Sequence, residues 1–77
     1  MIFLIEYNRR RGELVTLKRF ADADRKMASD ERLQLELDLN RRGVDHEVVI
    51  LEASSEAAVR RTHRRYFETL RELVEPI

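Results

Sequence analysis

Cysteine is absent from this 77-residue chain. That removes disulfide staples and thiolate metal sites, and it favours a cytoplasmic location over a secreted one. Glycine occurs only at positions 12 and 43. Phosphate cradles of the GxGxxG or Walker type are therefore excluded. Tryptophan is missing and proline appears once, at Pro76. Long apolar runs are also missing. Met1-Ile2-Phe3-Leu4-Ile5 stops at Glu6, far short of the ~20 residues of a membrane span, and it has no basic lead-in of a secretory signal. No excess of one charge exists either: 15 basic and 15 acidic residues balance to zero. The chain is not a uniformly basic nucleic-acid binder.

What is present is charge in blocks. The first 21 residues carry a net +3, residues 22–56 a net −5, and residues 57–77 a net +2. Thirteen of the fifteen basic residues are arginine, the side chain suited to forked hydrogen bonds with carboxylate or phosphate. A chain of this length makes one domain, residues 1–77, and buries only about 60–65% of its unfolded surface. Its stability is modest unless something outside the chain covers more apolar area.

Alternation opens the chain. Phe3, Ile5 and Tyr7 point to one face of a strand; Ile2, Leu4 and Glu6 point to the other. Asn8-Arg9-Arg10-Arg11-Gly12 reads as a turn, with Gly12 free to take positive φ. Residues 13–20 form the return strand. Asp22 or Asp24 offers an N-cap, and residues 22–42 read as a helix ended by Gly43. A rival reading notes that Leu33-Gln34-Leu35-Glu36-Leu37-Asp38-Leu39 alternates with period two. Taken as a strand, it would turn the fold into a duplicated ββα-ββα. The helix is preferred because Leu, Glu, Gln and Asp are poor strand residues.

On that helix the apolar residues fall into two stripes. Ala23, Met27, Leu33 and Leu37 share one side, and Ala28, Leu35 and Leu39 another. One sheet cannot receive both. The second stripe, Ala28, Leu35 and Leu39, is the candidate self-association surface, with packing against the last helix as the alternative. Val48-Val49-Ile50-Leu51 suits a strand covered on both faces. Ser55 caps a last helix over residues 55–74, whose apolar stripe includes Val59, Tyr66, Phe67 and Leu70. The expected fold is a small α+β domain of order ββαβα. Its three-stranded mixed sheet has a third strand parallel to a hairpin strand, both helices on one face, and an open second face that favours dimerisation.

Chemistry is sparse. His46 and His63 are the only histidines, and their spacing defines no metal site with Asp45 or Glu47. No cofactor motif is present, and nothing names a small-molecule ligand. Thr62, His63, Tyr66 and Phe67 form the one cluster of unusual composition, in which His63 suits acid–base work. The plainer reading makes His63 an edge residue of the apolar stripe. Arg9, Arg10 and Arg11 in the turn, with Arg60, Arg61, Arg64 and Arg65 on the last helix, form a candidate anion or nucleic-acid patch. Net neutrality favours an ion-paired face instead. The expectation is a non-catalytic interaction domain that forms homodimers. A nucleic-acid module is the alternative, and a small enzyme using His63 is a weaker one.

Overall fold

The computed structural model describes residues 1–67. Elements follow the order ββαβα: β1 Ile2–Asn8, β2 Glu13–Phe20, α1 Arg25–Arg42, β3 Glu47–Glu52 and α2 Glu56–Thr62. Short 3-10 turns precede α1 at Asp22–Asp24 and follow α2 at Arg64–Tyr66. The hairpin forms where alternation placed it. Asn8 Oδ1 accepts from the Arg11 amide at 3.2 Å, and Gly12 takes φ +65° to close the loop. A bulge shifts the β1–β2 register between Glu6 and Tyr7.

Residues 33–39 are helical, so the duplicated ββα arrangement does not form. α1 begins differently from the expectation. Neither Asp22 nor Asp24 caps it; Asp24 makes no side-chain cap bond, and Asp22 pairs with the chain's amino group. The other end is as expected. Gly43 at φ +69° donates to the Asn40 carbonyl, and the Val44 amide donates to that of Leu39, a Schellman closure.

The sheet is wholly antiparallel, in the order β2-β1-β3, rather than mixed. β3 does run in the direction of β2 after its helical crossover, but β1 lies between them. The run Val48–Leu51 is thus an edge strand and not an internal one. Its apolar continuity has the expected cause, coverage on both faces: Val48 and Ile50 pack toward one, Val49 and Leu51 toward the other.

Both faces of the sheet are covered, which corrects the expectation of two helices on one side. Phe3, Ile5 and Tyr7 pack with Val59, Tyr66 and Phe67 under α2 and the turn after it. Ile2, Leu4 and Phe20 pack with Ala28 under α1. β1 is apolar on both faces, and leaving either one wet would cost roughly 1.5–3 kcal/mol per large side chain. The two helices divide the work between them, one on each face.

α2 starts as expected, with Ser55 Oγ accepting from the Ala58 amide at 3.1 Å. It stops at Thr62, well before residue 74. Thr62 Oγ1 bonds back to the Ala58 carbonyl at 3.0 Å, and His63 leaves the helical region at φ −125°, ψ 53°. The rest of that expected helix, residues 68–74 with Leu70, lies outside the described residues. No helix among the described residues is long and apolar enough to cross a membrane.

Candidate functional site

The end of α2 and the 3-10 turn after it bring Tyr66 and Phe67 onto the sheet, where both are buried. Tyr66 Oη donates to Glu47 Oε2 at 2.5 Å, and Arg65 Nη2 donates to the same oxygen at 2.8 Å. The Arg65 guanidinium lies over the Tyr66 ring, 4.2 Å from its centroid, and Tyr7 meets Tyr66 edge-on at 5.2 Å. Arg9 reaches Glu47 from the hairpin loop at 3.9 Å. Hydrogen bonds from Arg65 and then Tyr66 hold the Glu47 carboxyl below its ordinary range. Burial, with Glu47 as second cause, pushes the Tyr66 phenol up. The result is a neutralised clasp joining the β1–β2 loop, β3 and the turn after α2.

Of the cluster singled out from composition, Thr62, His63 and Tyr66 do come together. Thr62 Oγ1 lies 2.9 Å from His63 Nδ1, and the His63 ring stacks near Tyr66 at 6.3 Å between centroids. The Tyr66 hydroxyl, however, is committed to Glu47. Phe67 is a core residue with the Arg60 guanidinium 4.5 Å from its ring centroid. Among the described residues no carboxylate partners His63.

The arginines converge on acids. Arg9 pairs with Asp45 and Glu47, Arg11 with Glu13, Arg60 with Glu56, and Arg65 with Glu47. Arg10 and Arg61 have no ion pair among the described residues. The basic ends of the chain are matched by the acidic middle, as charge balance requires of an ion-paired face.

One node was not singled out from the sequence. Glu6, buried on the α1 face of the central strand, accepts from Thr16 Oγ1 at 2.9 Å and lies 2.6 Å from His46 Nδ1. The signal was available: Glu6 shares its face with Ile2 and Leu4, and a buried carboxylate needs donors. Among the described residues no group of three His, Asp or Glu side chains is placed to hold a metal.

The two stripes of α1 sort opposite to the expectation. Ala28 (0% exposed) and Leu39 (3%) face the sheet, and Leu35 is half-buried beside them. Ala28, Leu35 and Leu39 are therefore the core stripe and not a self-association surface. The small side chain of Ala28 lets the helix approach β1. The other stripe faces outward: Met27 is 53% exposed, Leu33 53% and Leu37 49%. Lys26, Asp30 and Arg41 lie on this same side. Comparison with protein families, curated proteins and solved structures yields no match to this chain.

Proposed function

We propose that this chain is a non-catalytic assembly domain that associates with a second copy of itself through the outer side of α1. The observation that carries the reading is the exposure of Met27, Leu33 and Leu37 on a helix whose opposite side already fills the core. A helix that needed only one partner surface would place polar residues there. The β2 edge of the sheet is less suited to pairing. β2 carries Glu13, Lys18 and Arg19 and is kinked by the bulge, features that discourage strand addition.

Magnitudes set the character of the association. Covering the remaining area of each of the three side chains is worth roughly 1 kcal/mol, about 6 kcal/mol for two copies. Lost translation and rotation oppose this gain, so the pair is weak. The pair is reversible and depends on concentration. A cysteine-free chain with cytoplasmic composition is suited to such an equilibrium. Sedimentation across a series from micromolar to millimolar should show the mass rising from one chain toward two. A one-chain mass throughout would discard the proposal.

A further inference from the structure

The outward side of α1 carries charge as well as leucine, and the charge has a direction. Asp30, Leu33, Leu37 and Arg41 follow one another at spacings of three and four residues, so they form one line along the helix. The acid stands on the N-terminal side of the leucine pair and the base on the C-terminal side. Asp30 Oδ2 accepts from Lys26 at 3.1 Å. Arg41, two turns or more along the line, has no ion pair among the described residues.

Resting on the self-association proposed above, we infer that the two copies join with their α1 helices antiparallel, Leu33 of each against Leu37 of the other. The two-fold axis passes beside residue 35. Asp30 of one copy then meets Arg41 of the second, and the same contact repeats at the far end, as two-fold symmetry demands. The mismatch between the two pairings is one residue, about 1.5 Å along the axis, well within the reach of an arginine. A parallel pairing stacks Asp30 on Asp30, Lys26 on Lys26 and Arg41 on Arg41, three like-charge contacts in a row.

Leucines at the centre and ion pairs at both ends give the apolar middle and polar rim of a small interface.

A charge exchange tests the arrangement at low salt, with dissociation constants read by sedimentation equilibrium. Asp30→Arg and Arg41→Asp should each weaken pairing by about tenfold, because each turns two attractive contacts into repulsive ones. The double variant should return to within about threefold of the unaltered chain. Leu37→Glu should abolish pairing.

Because the chain has no cysteine, disulfide trapping supplies an independent reading. Oxidising a mixture of Leu33→Cys and Leu37→Cys chains should yield mainly the mixed 33–37 disulfide. In the antiparallel pair residues 33 and 37 face each other at the same height, whereas two copies of residue 33 are offset by ~6 Å along the axis, which on top of the gap between helices is too far for a bond. If Leu37→Glu is monomeric but the double charge exchange does not restore pairing, or if 33–33 disulfides predominate, the antiparallel arrangement is overturned and self-association through α1 stands. An unaltered chain that stays monomeric at millimolar concentration overturns both.

Discussion

His46 Nδ1 lies 2.6 Å from Glu6 Oε2, joining residues forty apart across the α1 face of the sheet. The carboxylate is buried in the central strand, and its other oxygen accepts from Thr16. Removing one donor strands the acceptor, whereas removing the whole polar group does not. His46→Ala should therefore cost about 1–3 kcal/mol by urea unfolding. Combining His46→Leu with Glu6→Leu should cost less than the sum of the two single changes. Strict additivity would show that the two side chains do not depend on each other.

The clasp at Glu47 predicts a pH dependence with a definite sign. Its folded carboxyl titrates below the ordinary 4.5, held there by Arg65 and Tyr66. Such a group adds stability that is fully present above pH 4.5 and is lost as pH falls through the lowered folded value. Denaturation midpoints between pH 7 and pH 2.5 should drop in the lower part of that range, and Glu47→Gln should flatten the drop. Tyr66 is shifted the other way, upward from 10.0. Its contribution is present below pH 10 and disappears as pH rises through the raised folded value. Tyr66→Phe should cost about 1.5–3 kcal/mol near neutrality, the range for a hydrogen bond to a charged acceptor.

Paired truncations on α1 distinguish its two sides. Leu39→Ala should cost about 2–4 kcal/mol, because the side chain is enclosed between α1 and the sheet. Leu37→Ala, measured dilute enough to keep the chain monomeric, should cost under about 0.5 kcal/mol. Ala28→Leu should destabilise by about 1–3 kcal/mol through overpacking against β1. Equal costs at residues 37 and 39 would contradict the orientation of the helix.

Two glycines hold left-handed backbone. At Gly43, φ +69° ends α1 and open space surrounds the missing side chain, so Gly43→Ala meets conformational strain alone. A cost near 1 kcal/mol should lower the melting temperature by about 4–8 °C. At Gly12, φ +65°, the Tyr7 hydroxyl stands 3.8 Å from a built side-chain carbon. Gly12→Val should cost more than Gly43→Ala, since a β-branched residue is least tolerant of positive φ.

Local chemistry was legible in the sequence and global pairing was not. Asn8 through Gly12 announced a loop, Ser55 a cap and Gly43 a helix end, because each acts on backbone within a few residues of itself. The partner of β3 depends on which edge of the hairpin the chain returns to after α1, and no short-range signal encodes that choice. The coverage of both faces could have been read from Ile2-Phe3-Leu4-Ile5, four apolar residues that leave neither side of β1 fit for water. Orientation of α1 was harder. Both stripes are apolar, and the deciding feature is that Ala28 is small where the helix crosses β1, a fact about clearance rather than hydrophobicity. At the candidate site, composition drew attention to His63, which has no carboxylate partner among the described residues. His46 drew notice only as a possible metal ligand beside Asp45 and Glu47, because its partner Glu6 lies forty residues away.

β1 is hydrogen-bonded along both of its edges and enclosed on both of its faces. Its β3 neighbours arrive 40 residues later at Tyr7–Glu47 and 50 later at Ile2–Glu52. During synthesis the greasiest ribbon of the molecule leaves the ribosome ahead of β3 and waits half-paired until position 52 has emerged. Nascent chains stalled short of that point expose an aggregation-prone edge, and the amides of β1 are expected to be the last to exchange with deuterium once the strand has closed over.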